Sequence, residues 1–222
     1  MSASPERTIR QLRFERPSGA TELVLVRHGE SEPHDPASPF PLLEGRGDPA
    51  LAPEGVEQAE ALARRLANWP IEAIYVTPLR RTVQTALPLA GRLGLTPVVE
   101  PGLIEVHMGE WEGGLYREKV MQRDPLALQV FTEGRFDVVP GAETNAQILG
   151  RARAAVERIA AAHPGELVVA ITHVVVISVL LGEALGAPAF AFVTGDNTGI
   201  SRLVVSSSSW TVRTYNDTAH LE

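Results

Sequence analysis

TELVLVRHGES, residues 21–31, places four consecutive apolar side chains, Leu23 to Val26, directly before a guanidinium, an imidazole and a glycine. A strand with one wet face alternates polar and apolar positions, so an unbroken apolar run predicts a strand buried on both faces. Arg27 and His28 then stand at its carboxyl end, where open α/β sheets collect their ligands. Gly29 allows a sharp turn or a close backbone approach. A cation and an imidazole delivered to that end form a candidate anion site.

Working outward, Leu167 to Thr172 repeats the pattern and also ends in a histidine, His173. Two histidines at the ends of two buried strands are hard to explain as core filling, because such ends converge in space. Ile71 to Val76 reads as a further strand, followed by TPLRRTVQTA. Thr77 is expected to cap the next helix with Pro78 at its first position, which would set an ordered, anion-stabilising turn. The residues alone divide phosphate binding equally between Arg80 and Arg81, which diverge by roughly 100 degrees on a helix.

Helices are expected from Pro53 to about Asn68, with Ala59, Leu62, Ala63 and Leu66 on one face, up to Ala162 after PGAETNAQ, and from about Val174 to Leu185. Thr96 to Glu100 reads as a short strand. Ser201 to Val205 and Trp210 to Tyr215 read as edge strands joined by a run of four serines. Residues from about 110 to 140 are expected to form a small cap of short helices, with Trp111, Tyr116, Phe131 and Phe136 as cleft or packing residues. Glu32 to Pro53 is a long proline- and glycine-rich loop of the kind that selects ligands. Its His34, Asp35, Glu44, Arg46 and Asp48 are candidates to approach a substrate.

The formal charge of -7 and pI near 5.4 leave no footprint for nonspecific binding to nucleic acid or anionic membranes. There is no cysteine, which excludes thiolate chemistry and sulfur-ligated zinc. No apolar run reaches the ~18 residues of a membrane span, and MSASPERTIRQLRFERPSG lacks a secretory core, so the expected address is cytoplasmic. Residues 1–20 are expected to be a partly ordered extension. Arg7, Arg10, Arg13 and Arg16 recur every three residues as one helical stripe would, with a solvated tail the favoured reading.

The segment around Arg27-His28-Gly29 resembles the signature of the histidine phosphatase superfamily, which contains cofactor-dependent phosphoglycerate mutases and many small phosphatases. TPLRRTVQTA resembles that family's second arginine motif, PGLIEVHMGEWEG its carboxyl-bearing segment, PGAETNAQ the start of its long helix, and the strand ending at His173 its second histidine. The resemblance runs from Thr21 to Leu221. It implies a three-layer α/β/α sandwich with a mostly parallel sheet, an antiparallel C-terminal edge and a helical cap, forming with residues 21–222 one domain.

The resemblance implies His28 as nucleophile, Arg27 and Arg81 as phosphate contacts, Glu105 as proton donor and His173 as stabiliser of the transferring group. Glu30, His34 and Glu143 are further substrate-site candidates, Glu143 as a support for Arg27, Arg81 or the loop. Two departures stand out: Ser31, Glu32, Pro33 and His34 replace the asparagine many relatives carry after Arg-His-Gly-Glu, and Val174 replaces the glycine usual after the second histidine. Fewer than 30 residues separate Gly114 from Gly141, where the mutase branch has a larger insertion, so the expected activity is metal-independent and cofactor-free hydrolysis of a small phosphorylated metabolite. Phosphoglycerate mutation and noncatalytic phospholigand binding are the alternatives. Homodimerisation through a C-terminal edge strand is set against burial of that edge within the chain.

Overall fold

In the computed structural model, which describes residues 11–222, strand β1 (Thr21–Arg27) runs through the middle of a sheet. Its neighbours are β6 (Leu167–Thr172), parallel to it, and β7 (Ile200–Val205), antiparallel. Beyond them lie β4 (Ile71–Val76), β5 (Val98–Val99) and β8 (Trp210–Asp217), in the order β5-β4-β6-β1-β7-β8. Strands β5, β4, β6 and β1 are parallel and the two C-terminal strands antiparallel. The hairpin of β2 (Leu42–Leu43) and β3 (Arg46–Gly47) stands apart.

The apolar runs are explained by two cores. Leu23 and Leu25 of β1, with Val168 and Ala170 of β6, face α5 (Asn145–Ala162) and α6 (Val174–Leu185). Val24, Val26, Val169 and Ile171 face α1 (Pro53–Leu66) and α2 (Arg80–Leu93). Successive side chains of a strand point to opposite faces, so covering both faces demands a continuous apolar sequence. The layers are therefore helix, sheet, helix. The cap consists of α3 (Leu115–Met121) and α4 (Pro125–Glu133). No helix among the described residues is long and apolar enough to cross a membrane.

Some local expectations are corrected. Helix α2 begins at Arg80 after Leu79, and Thr77 and Pro78 lie outside it. The first-turn N–H of Arg80 is capped instead by the Asp48 carboxylate at 2.7 Å, a donor-acceptor pair supplied from the long loop. The Thr77 hydroxyl, fully buried, is engaged by Thr82 at 2.9 Å and by the second histidine described below. The strand expected at Thr96 to Glu100 contracts to Val98–Val99, both exposed at the sheet edge.

In the N-terminal extension, Arg13 and Arg16 are not helical, and Arg7 and Arg10 lie outside the described residues. Arg16 is tied down, donating from Nη1 to the Glu166 carbonyl at 3.0 Å. At the other sheet edge, Trp210, Val212 and Tyr215 of β8 pack on the core, while Thr211 and Arg213 face outward.

Candidate active site

The carboxyl ends of β1, β4 and β6 deliver Arg27, the segment leading to Arg81, and His173 to one place. There a pocket of about 460 Å3 is lined by Arg27, His28, Glu30, Arg81 and Glu105 among others. The His28 and His173 rings meet edge-on with centroids 5.2 Å apart. Both are buried.

The ring nitrogens of His28 are assigned by their partners. Nδ1 lies 2.7 Å from the Gly29 carbonyl, which can only accept, so Nδ1 carries the proton. Nε2 is then the lone-pair nitrogen, and it accepts from Arg81 Nε at 3.3 Å. Burial, then Arg81 and Arg27, push the His28 pKa well below the ordinary value of 6.5, so the ring stays neutral into the acidic range.

His173 is held the same way. Its Nε2 meets Thr77 Oγ1 at 3.1 Å and its Nδ1 faces Arg81 Nη2 at 3.4 Å. Burial first, then the Arg81 charge, pushes its pKa well below 6.5 as well.

Arg81 bridges the two rings and also donates from Nη1 to the Gly47 carbonyl at 3.0 Å. Arg80 points away, bonded to Asp48 through Nε at 3.1 Å with its side chain half exposed. Arg27 donates from Nη1 to the Gly195 carbonyl at 2.7 Å. Its buried Nε has no hydrogen-bond partner among the described residues.

The Glu105 carboxylate is 4.0 Å from His173 Nδ1 and accepts from the Val106 N–H at 2.9 Å. Burial raises its pKa, overcoming the lowering effect of that N–H and of Arg81, Arg151 and Arg27. A carboxyl so placed holds its proton at higher pH than a free glutamate does.

The close approach that delivers His28 depends on two glycines. A Cβ on Gly29 would lie 2.6 Å from the Gly55 carbonyl oxygen, and one on Gly55 would lie 2.0 Å from that of Glu30. The turn is tied further by Thr85 Oγ1, which accepts from the Gly29 N–H at 2.9 Å, and by Gln58 Oε1, which accepts from the Glu30 N–H at 2.8 Å.

Of the other candidates, Glu30 lines the mouth of the pocket and is exposed. His34 does not line it: the side chain is turned into the neighbouring groove, bonded through Nε2 to Glu118 at 2.7 Å. Glu143 does not line it either, because its carboxylate is held behind the site. It accepts from the Arg151 Nε and Nη2 at 2.8 and 2.9 Å, from Arg46 Nη2 at 3.3 Å and from the His107 N–H at 2.7 Å. Neither Arg27 nor Arg81 is its partner; the loop, through Arg46, is. Arg46 reaches the pocket, Asp48 holds Arg80, and Asp35 and Glu44 are outside it.

Three contributors escaped the sequence. Asn197 donates from Nδ2 to the His28 carbonyl at 2.8 Å, on a turn anchored by Asn216, whose Oδ1 accepts from the Asp196 N–H at 2.8 Å. Arg117 on α3 lines the pocket and donates to Ser31 Oγ and the Glu32 carbonyl, each at 2.7 Å. Thr77 orients His173. No local pattern marks such residues, since their partners lie far away in the chain. Among the described residues, no group of three or more histidine and carboxylate side chains is arranged to hold a metal ion.

Residues 23–218 match the sequence profile of the histidine phosphatase superfamily, branch 1. The chain belongs to that family. It is 31% identical over 203 residues to phosphoserine phosphatase 1 of Hydrogenobacter thermophilus, covering 90% of this chain and 94% of that one. It is likewise 31% identical over 209 residues to a metal-independent phosphoserine phosphatase of Arabidopsis thaliana, with 92% and 84% covered. Among solved structures, YhfR of Bacillus stearothermophilus superposes with a TM-score of 0.77 at 27% identity, covering 91% of this chain and all of the other. Histidine phosphatase chemistry is thus the framework in which the pocket is read.

Proposed function

We propose that this histidine phosphatase hydrolyses a small phosphomonoester without a metal, through a phosphohistidine formed on His28. The observation that carries the reading is the His28 tautomer: Nδ1–H is fixed on the Gly29 carbonyl, and the unprotonated Nε2 faces Arg81 and the second histidine. A neutral imidazole with a free lone pair is the nucleophilic form.

In the first step Nε2 attacks phosphorus and the bond from phosphorus to the alcohol oxygen breaks. The departing oxygen takes the Glu105 proton. Arg27 and Arg81, which both line the pocket, neutralise the phosphoryl oxygens, a role suited to directed and permanently charged donors. His173 faces the same group and stabilises its charge in the transition state. In the second step a water oxygen attacks phosphorus, the phosphorus-nitrogen bond breaks, and Glu105 takes back the proton. The metal-independent name of the Arabidopsis relative supports the reading.

The test is release of inorganic phosphate from a varied panel of phosphomonoesters in EDTA, with His28→Ala as control, and acid-free trapping of phosphoenzyme. EDTA-resistant turnover and a trapped phosphoryl group, both lost in His28→Ala, are expected at acidic to neutral pH. Turnover that survives in His28→Ala or disappears in EDTA overturns the mechanism. Transfer of the phosphoryl group to phosphoglycerate would favour mutation instead.

A further inference from the structure

Beyond the phosphoryl-binding atoms the pocket changes character. Tyr116 of α3, Phe136 after α4 and Phe190 after α6 form a connected aromatic wall, with successive ring centroids 5.5 Å apart. Val174 and Val193 line the same pocket. Burial, assisted by the nearby Glu105 charge, pushes the Tyr116 hydroxyl up to about 12, so this wall stays uncharged.

The charged groups on that side are already engaged. Apart from Arg27 and Arg81, the lining guanidinium groups among the described residues are those of Arg46 and Arg117. Arg46 donates from Nε to the Glu105 carbonyl at 2.8 Å and pairs with Glu143 at 3.3 Å. Arg117 donates to Ser31 Oγ and the Glu32 carbonyl and lies 5.0 Å from the centre of the Phe40 ring. The Glu112 carboxylate is taken by the N–H groups of Gly47 and Met108, each at 2.8 Å. Glu30, exposed at the mouth, adds a negative charge there.

A second anionic group on the substrate would therefore lose water beside an apolar wall and a rim carboxylate, with Arg46 paired to Glu143 and Arg117 turned to Ser31 and the Glu32 carbonyl. An apolar ring would instead exchange water for aromatic faces. We propose that the preferred substrate is a monoester of an uncharged, ring-bearing alcohol seated on the Tyr116, Phe136 and Phe190 wall, and that carboxylate-bearing monoesters are discriminated against. The proposal rests on the hydrolase reading above and sets its leaving-group class. It separates this chain from relatives named for phosphoserine.

The experiment compares kcat/KM for 2-phenylethyl phosphate, O-phosphoserine and 3-phosphoglycerate, with His28→Ala as background. Serine is the more acidic alcohol, so chemical reactivity alone favours phosphoserine. The expected result is a preference for 2-phenylethyl phosphate of about tenfold or more, carried mainly by KM, as burial of a ring in an apolar pocket permits. Phe190→Ala should collapse that ratio. Val193→Arg, which adds an uncommitted cation, should raise turnover of phosphoserine relative to the parent protein. Equal or better use of phosphoserine or 3-phosphoglycerate by the parent protein overturns the proposal while the hydrolase reading stands. Absence of phosphate release from all three, together with absence of a phosphoenzyme, overturns both.

Discussion

Replacing Glu143 by glutamine removes one negative charge from behind the active site and leaves the shape of the side chain. The carboxylate accepts two hydrogen bonds from Arg151, one from Arg46 and one from the His107 N–H. Its side chain is 17% exposed, and those of Arg46 and Arg151 are 15% and 19% exposed. Burial raises the Glu143 pKa, but the Arg151 hydrogen bond, the His107 N–H and the two arginine charges outweigh it and hold the group below its usual value, so it is ionised at neutral pH. Hydrogen bonds to charged groups contribute about 1.5–3 kcal/mol each when buried, and glutamine retains some of them, so a net loss of about 2–4 kcal/mol is expected. At roughly 2–4 °C per kcal/mol for a chain of this size, melting should fall by about 4–16 °C.

The same change reaches Glu105. Arg46 Nε and Arg151 Nη2 both donate to the Glu105 carbonyl, at 2.8 and 3.1 Å, and the Arg151 charge already draws the Glu105 pKa down against burial. Around that carboxyl stand Arg27 from β1, Arg81 from α2, Arg151 from α5, His173 and Tyr116. Without Glu143 the arginines are less compensated, Glu105 releases its proton more readily, and the alkaline limb of kcat should move to lower pH. Thermal melts and a kcat profile across pH check both effects in one variant. A melting temperature within about 2 °C of the parent, with an unmoved alkaline limb, would refute the coupling of Glu143 to Glu105.

Gly55→Ala places a Cβ 2.0 Å from the Glu30 carbonyl oxygen, a backbone atom that cannot move without displacing the turn after His28. A destabilisation of about 2–4 kcal/mol with reduced kcat is expected from denaturant melts and phosphate release, and parent-like values in both would contradict the close approach. Asn197→Ala removes the 2.8 Å bond to the His28 carbonyl, and a loss of about 1 kcal/mol of transition-state stabilisation, roughly fivefold in kcat with KM little changed, should follow. Acid lability gives a further check. The folded pKa of His173 lies below 6.5, so the unfolded chain binds the proton first, and the stability held above pH 6.5 should be lost as pH falls toward the folded value. His173→Gln should flatten that part of the curve of melting temperature against pH, and an identical slope in the two proteins would count against a buried neutral imidazole.

The amino-acid sequence by itself determined the two buried strands ending at His28 and His173, because burial on both faces writes a continuous apolar run and each strand end is a local feature. It also carried the helical faces of α1 and the limits of α6. Tertiary structure alone decided how the site is held. Asp48 caps α2 in place of Thr77, Asn197 secures the His28 carbonyl across 169 positions, and Glu143 turns to Arg46 and Arg151 rather than into the pocket. Hydrogen-bond partners of this kind satisfy buried polar groups wherever the fold brings an acceptor near, and sequence separation does not constrain that choice.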